Sequence, residues 1–290
     1  PVVFGEIVFD EFDDDVHHPG GAPLNVAWHL HGFGLHPLLL SRVGNDELGG
    51  LLLERLTAAR VDTRGIQIDP GHSTGRVEVG TSDGEPHFTI PPDQAYDFID
   101  KAEFPNLAQE QLAFLYHGSL AARSPISAAA LRFLRDTGLS TFVDVNLRSP
   151  WWSGSSVETL LRGARWLKLN GAELAELVDG QTRTPLQRAE ALRSRLGLEV
   201  VVVTFGDQGS LGVSAELSIT AQPERVPSFV DSVGAGDAFS AVLMVGLARG
   251  WPLQLSLHRA TSFAAAICGI RGAMPEDPAI YQRFLRQWQP

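Results

Sequence analysis

Short apolar runs, typical of buried strands, alternate along the chain with longer stretches in which apolar residues recur at helical spacing. The apolar runs predict strands at 2–10, 38–43, 112–117, 139–145, 165–169 and 199–205. Two of the predicted helices start at a proline that follows Ser124 or Thr184, and they end near Gly138 and Gly197. This alternation predicts an α/β fold with a mostly parallel central sheet and helices on both faces.

The pattern changes between residues 71 and 90, where short strands with alternating polarity flank Asp83-Gly84. Asp-Gly between two such strands is a strong hairpin signal. The segment therefore predicts a small β element beside the central sheet.

Composition restricts the classes of partner. The chain has 290 residues and a net charge of −11, which argues against a nucleic-acid partner because such proteins carry a basic surface. An anionic nucleotide stays compatible, since Mg²⁺ and local amides can attract it. The single cysteine and the lack of an apolar run long enough for a membrane helix favour a cytoplasmic protein without a membrane partner.

Glycines mark the candidate phosphate site in the segment 231–239, DSVGAGDAF. We expect a strand to end just before it and a helix to run from Ala235 to Arg249, stopping at Gly250. The amides of Gly234, Ala235 and Gly236 would then face an anion at a helix N-terminus. Asp237, in the first helical turn, could take a proton from an attacking hydroxyl. The alternative is a plain glycine-rich turn whose aspartate complements the helix dipole.

Other phosphate-binding motifs are missing from the sequence. The chain has only two lysines, Lys101 and Lys168, and neither follows a glycine, so there is no Gly-Lys-Ser/Thr loop. No Gly-x-Gly-x-x-Gly follows the first predicted strand. A phosphate would therefore be bound by backbone amides.

A second polar cluster lies near the amino terminus. Gly20 and Gly21 precede a predicted helix, so a ligand could lie against bare backbone, and Asn25 could bind hydroxyls one turn later. Asp10 closes the first predicted strand. The alternatives are an ordinary helix start with a solvent-facing asparagine and a turn aspartate.

Three further polar motifs begin at predicted strand ends, where open α/β sheets bind ligands. They are 144–148 (DVNLR), 170–173 (NGAE) and 204–209 (TFGDQG). Asn170 and Glu173 have the spacing of a helix capping box as well as that of a ligand site. Lys168, two residues earlier on the strand, favours a phosphate ligand. Asn45, after the 38–43 strand, is either a helix N-cap or a substrate contact.

The segment 231–237 resembles the C-terminal signature of the ribokinase-like (PfkB) sugar kinases, with Ser232 at a position where threonine is usual. The segment 19–27 resembles the N-terminal signature of that family, and the motifs at 144–148, 170–173 and 204–209 follow in family order. The sequences of segments 20–25 and 144–148 are most similar to those of fructokinases.

The resemblance implies ATP-dependent phosphorylation of a primary hydroxyl of a small sugar, with fructose as the first candidate. 2-Keto-3-deoxygluconate kinase, nucleoside kinase and a catalytically silent binding protein of the same fold are the alternatives. The resemblance implies catalysis by Asp237 with Gly234, Ala235 and Gly236, and sugar binding by Asp10, Gly20, Gly21, Asn25 and Arg148. It also implies nucleotide binding by Lys168, Asn170, Thr204, Gly206 and Gly209, and a magnesium site at Glu173.

The resemblance also implies one domain over residues 1–290, with a small β lid formed near 9–19 and 71–98. In the family such a lid covers the sugar and often mediates a homodimer. The implied cofactors are ATP and Mg²⁺, with a potassium ion near the Asp231 loop in some members.

Overall fold

The structure is a computed structural model that describes residues 1–11, 17–82, 85–178, 183–223, 226 and 228–289. The strands in chain order are β1 Val2–Phe4, β2 Val8–Glu11, β3 His17–Gly20, β4 Leu38–Gly44, β5 Ile66–Asp69, β6 Gly75–Ser82, β7 Glu85–Thr89, β8 Phe114–His117, β9 Ser140–Asp144, β10 Trp166–Asn170, β11 Val200–Thr204, β12 Ser210–Val213 and β13 Ser218–Ala221. The α-helices are α1 Ala22–Gly32, α2 Glu47–Ala58, α3 Pro125–Arg135, α4 Gly154–Leu161, α5 Gly171–Leu177, α6 Pro185–Leu196, α7 Ala235–Arg249, α8 Leu253–Ile267 and α9 Ala279–Gln287.

The main sheet has nine strands in the order β13-β12-β11-β10-β9-β8-β1-β4-β5. The strands from β11 to β5 pair in parallel, and β12 and β13 add an antiparallel edge. The predicted mostly parallel sheet is confirmed, and its polar strand ends meet at one edge.

Helices cover both faces of this sheet. On β1, Val3 packs in a cluster with α1 and α7, whereas Val2 and Phe4 pack in a cluster with α3. Alternate residues of a strand point to opposite faces, so the central strands are buried on both sides and read as continuous apolar runs.

Helix α7 lies deep in the core against α1 and α8. Its residues 238–246 are all buried, so it is apolar on every side rather than amphipathic. It begins after Gly234 and ends before Gly250, both in the left-handed conformation. These are the predicted bounds. Among the described residues, none of the helices combines the length and apolar character needed to cross a membrane.

A second sheet, in the order β3-β2-β6-β7, lies apart from the first. This is the small separate β element that the sequence predicted. The predicted turn residues Asp83 and Gly84 lie outside the described residues, but Ser82 and Glu85 on either side of them pair in antiparallel strands.

The prediction of one strand over 2–10 was wrong, because the chain leaves the main sheet after β1 and enters the second sheet as β2. Gly5 still donates its amide to the carbonyl of Leu40 at 3.2 Å. A side chain at Gly5 would put its Cβ 2.4 Å from Cγ of Pro23 on α1. The crossing therefore needs a glycine, and Glu6 and Ile7 connect the two sheets.

Two smaller expectations also differ from the structure. The strand expected just before Asp231 is absent from the described chain, because β13 ends at Ala221 and Val230 donates its amide to the carbonyl of Cys268 at 2.9 Å. Asn45 does not cap α2. Asp46 is the N-cap, and its carboxylate accepts the amide of Gly49 at 2.9 Å.

Helix α2 offers a matched test of the core. Leu52 is 1% exposed, whereas its neighbour Leu51 is 51% exposed. We expect Leu52→Ala to lower the free energy of unfolding by about 2–5 kcal/mol, because it removes buried methyl groups and leaves a cavity. We expect Leu51→Ala to change it by less than about 0.5 kcal/mol. Urea unfolding measures both, and equal effects would contradict the packing described above.

Candidate active site

A cavity of about 1490 Å³ opens at the carboxyl edge of the main sheet. Its walls come from the start of α1, the start of α7, the loop after β9, the second sheet and the segment from the end of α8 to α9. Seven of the predicted site residues line it: Asp10, Gly20, Gly21, Asn25, Arg148, Gly234 and Asp237.

One hydrogen bond joins the two glycine-rich segments. Nδ2 of Asn25 donates to Oδ2 of Asp237 at 2.8 Å, across a separation of 212 residues. Asn25 is buried in the first part of α1, and Asp237 lies in the first turn of α7, partly open to the cavity. The packing of α1 on α7 thus brings the two predicted motifs to a single point.

Electrostatics raise the pKa of Asp237 to about 6. Burial is the largest cause, and the nearby carboxylate of Asp144 adds to it. The hydrogen bond from Asn25 and the charges of Lys168 and Arg148 oppose the shift. At neutral pH Asp237 is therefore mostly ionised, yet basic enough to take a proton efficiently.

The start of α7 exposes amide donors beside this carboxylate. Gly234 has φ of 73°, and a side chain there would put its Cβ 2.2 Å from Cβ of Ala273. The first intrahelical bond runs from the Ala238 amide to the Gly234 carbonyl at 2.8 Å, so the amides of Gly236 and Asp237 lack a partner within the helix. The amide of Ala235 already donates to the carbonyl of Ser232 at 3.2 Å. Gly236 and Asp237 are therefore the best-placed donors for an anion.

A buried charge pair lies beneath this turn. Nζ of Lys168 is 3.1 Å from both carboxylate oxygens of Asp144, and Oγ of Ser240 on α7 donates to Oδ2 of Asp144 at 2.7 Å. Burial disfavours the charged amine, but the carboxylates of Asp144, Asp237 and Glu173 outweigh it and raise the pKa of Lys168. A Cβ on Gly236 would lie 3.1 Å from Nζ of Lys168.

The predicted nucleotide residues lie further along the same edge. Asn170, at the end of β10, pairs in register with Thr204, at the end of β11. Gly206 and Gly209 follow with positive φ, and a Cβ on Gly209 would be 2.2 Å from the carbonyl oxygen of Ala221. Within the described part of the chain these four residues lie outside the lining of the cavity.

The capping box predicted as one alternative for Asn170 and Glu173 is present. Asn170 Oδ1 accepts the amide of Glu173 at 2.9 Å, and Glu173 Oε2 accepts the amide of Asn170 at 2.8 Å. Glu173 Oε1 also accepts the amide of Leu147 at 2.9 Å, which ties the loop after β9 to α5. The described residues contain no group of three or more His, Cys, Asp or Glu side chains placed to hold a metal ion.

Most of the cavity wall was not predicted from the sequence, including the polar residues Glu6, His18 and Asn146. The apolar run over 2–10 predicts one continuous strand and gives no reason to expect Glu6 at a ligand site. Asn146 has φ of 44°, a conformation that the sequence hints at only through the tolerance of asparagine for left-handed backbone. No sequence signal distinguishes His18.

The fold and the site define a phosphotransferase of the carbohydrate kinase class, and the comparisons agree. The model of the pfkB family of carbohydrate kinases matches residues 6–280, so the chain belongs to that family. The predicted family and class of enzyme are thereby confirmed.

Individual relatives cover nearly the whole chain. It is 31% identical to a fructokinase of Klebsiella pneumoniae over 303 residues, with 95% of each chain covered. The structure resembles fructokinase from Vibrio cholerae with a TM-score of 0.81, 26% identity and 97% of each chain covered. It resembles an uncharacterized sugar kinase, PH1459, from Pyrococcus horikoshii with a TM-score of 0.78 and 26% identity, covering 94% of this chain and 93% of that one.

The Asn25–Asp237 hydrogen bond generates a prediction that does not depend on turnover. We expect Asn25→Ala to raise the pKa of Asp237 above about 6. The hydrogen bond from Asn25 stabilises the ionised carboxylate, and the variant removes that bond. Carbon-13 NMR titration of the Asp237 carboxyl group measures this. Asn45→Ala, an exposed asparagine outside the cavity, is the control and should leave the pKa unchanged. An unchanged pKa in Asn25→Ala would contradict the proposed contact.

Proposed function

We propose that the chain transfers the γ-phosphoryl group of ATP to a primary hydroxyl of a small sugar, with fructose as the preferred acceptor. The observation that carries this proposal is the 2.8 Å hydrogen bond between Asn25 and Asp237. It places the Asp237 carboxylate, which could act as a base, between the polar start of α1 and the unpaired amides at the start of α7. Phosphoryl transfer needs all three elements at one point.

Relatives support fructose as the acceptor. The Klebsiella pneumoniae relative is named a fructokinase, and the Vibrio cholerae fructokinase structure holds fructose, ADP and a calcium ion. The cavity is lined by five carboxyl groups, at Glu6, Asp10, Asp237, Glu276 and Asp277, and by five arginines, at Arg55, Arg148, Arg271, Arg283 and Arg286.

Asp10, Gly20, Gly21, Asn25 and Arg148 would bind and orient the acceptor. A Cβ on Gly20 would lie 3.3 Å from Oδ2 of Asp10, and one on Gly21 would lie 2.6 Å from the carbonyl oxygen of Glu6. The bare backbone of Gly20 therefore leaves space for the sugar beside the Asp10 carboxylate, and Gly21 allows α1 to start close to the backbone of Glu6. Burial raises the pKa of the Asp10 carboxyl group, and the charges of His18 and Arg148 oppose that shift. Arg148 also opposes, together with Lys168, the raised pKa of Asp237.

Asp237 would take the proton of the attacking hydroxyl as the new oxygen–phosphorus bond forms and the bond from the γ-phosphorus to the bridging oxygen breaks, releasing ADP. The amides of Gly236 and Asp237, with the dipole of the 15-residue helix α7, would stabilise charge on the transferring group. Gly234 and Ala235 shape the turn that exposes those amides. Lys168 supplies positive charge from below.

ATP would extend from this turn along the strand ends to Asn170, Thr204, Gly206 and Gly209. The donor set fits Mg²⁺ held mainly by ATP oxygens and water, since Glu173 has both oxygens engaged with backbone amides and could reach the ion through water. When bound, Mg²⁺ neutralises phosphate charge. A potassium ion near Asp231 stays a prediction. The two carboxylate oxygens of Asp231 already accept hydrogen bonds from the amides of Val233 at 2.9 Å and Gly272 at 3.0 Å.

The second sheet would act as the lid. Val8, His18 and Val77, from three of its strands, line the cavity and would exclude water from the sugar. A homodimer formed through this sheet stays a prediction of the family resemblance.

The base assignment has a direct test. We expect Asp237→Asn to lower kcat by about 10²- to 10⁴-fold, because the amide cannot accept the proton, while ATP still binds. ADP release would be measured with Mg-ATP and fructose, ribose, 2-keto-3-deoxygluconate or adenosine. If the wild type phosphorylates another acceptor of the panel and Asp237→Asn does not, the mechanism is retained and the assigned substrate changes. A wild-type chain that binds ATP but uses no acceptor would favour the silent binding protein.

The pKa of Asp237 sets the pH dependence. The base must be ionised, so kcat/KM should fall as pH decreases through about 6 and then drop about tenfold per pH unit. The profile is obtained by measuring kcat/KM from pH 5 to 8 with any acceptor of the panel that shows turnover. A flat profile down to pH 5 would contradict the raised pKa or the role of Asp237.

A further inference from the structure

Glu6 occupies an unusual position in the chain. It lies where the polypeptide passes from β1 in the main sheet to β2 in the second sheet, directly after Gly5. It is only 5% exposed, yet it forms part of the wall of the cavity that also contains Asp10, Asn25 and Asp237. A glutamate is rarely buried unless it is paired.

The carboxyl group of Glu6 is incompletely satisfied. Its Oε2 atom has no hydrogen-bond partner in the described part of the protein, while backbone amides of Glu6 itself and of Ala121 stabilise the group. A buried polar atom without a partner costs free energy, and its presence in a native site calls for a partner supplied from outside the chain.

Two neighbours on the cavity wall show the same feature. Oδ1 of Asn25 and Nδ2 of Asn146 are also buried without a partner in the described structure. Asn25 Oδ1 is an acceptor and Asn146 Nδ2 is a donor, so the three residues together present both kinds of hydrogen-bonding group to one cavity. A neutral polyhydroxylated molecule, whose hydroxyls donate and accept, complements this set.

We propose that Glu6 is a binding residue for the acceptor, and that its carboxyl group hydrogen-bonds a hydroxyl of a neutral polyhydroxylated sugar in this cavity. The proposal rests on the sugar kinase function proposed above and adds to it a contact outside both glycine-rich segments. Asn146 borders the same wall and would bind the sugar beside Glu6.

The electrostatics of the cavity support a carboxyl group that can donate as well as accept. Burial raises the pKa of Glu6 to about 7, the charge of Asp237 adds to the shift, and Arg148 opposes it. A protonated carboxylic acid has one donor and retains acceptor capacity, which a glutamine side chain reproduces. Glutamine should therefore replace Glu6 with little loss of sugar binding, whereas an apolar side chain of similar size should not.

The experiment compares the wild-type chain with its Glu6→Gln and Glu6→Met variants. Isothermal titration calorimetry with D-fructose, and with D-ribose as a second probe, measures binding without ATP and hence without turnover. We expect Glu6→Met to weaken sugar binding about 10- to 100-fold, because a sugar hydroxyl loses its buried partner. We expect Glu6→Gln to stay within about threefold of wild type. Binding of ATP should be equal in all three proteins.

Each outcome decides the proposal. Equal sugar affinity in Glu6→Met and wild type overturns it, as does a Glu6→Gln protein that folds normally by thermal unfolding but binds sugar as weakly as Glu6→Met. A wild-type chain that binds neither probe also overturns it. Sugar binding that depends on Glu6 in a chain that transfers no phosphoryl group would retain the Glu6 assignment and reject the kinase reaction, so the two failures are distinguishable.

Discussion

The structure depends on the contact between the amino ends of α1 and α7. These helices come from opposite parts of the chain, and their first turns meet at the Asn25–Asp237 hydrogen bond. Helix α7 cannot shift to accommodate changes at this point, because its buried residues contact the core on every side. The position of Asp237 is thus fixed by core packing rather than by the loops around it.

Holding a carboxylate this deep is costly, and the chain offsets the cost with an ordered set of charges. Lys168 pairs with Asp144, which accepts in turn from Ser240 on α7. The pair brings positive charge under the first turn of α7 and also connects strands β9 and β10 to that helix. Asp144 at the same time raises the pKa of Asp237, so one arrangement both anchors the helix and shifts the pKa of this carboxyl group.

Much of the fold could be read from local pattern, because each parallel strand is buried on both faces and each α/β unit repeats the same apolar signal. The bounds of α7 followed from Gly234 and Gly250, whose backbone freedom marks both ends. The site was harder to derive. Asn170 and Glu173 have one spacing that serves both a capping box and a ligand site, and only the fold shows that the capping bonds form.

Glu6 shows why a pattern reader misses such residues. Hydrophobic residues continue from Val2 to Phe9 almost without interruption, so the glutamate looked like an exception within one strand. The close approach of Gly5 to Pro23, a long-range feature, leaves room only for a glycine where the chain passes from one sheet to the other. A residue at that crossing lies between Asp237 in the main body and the second sheet above the cavity. Its side chain therefore faces whatever the two sheets enclose, which is the physical reason that specificity can reside there.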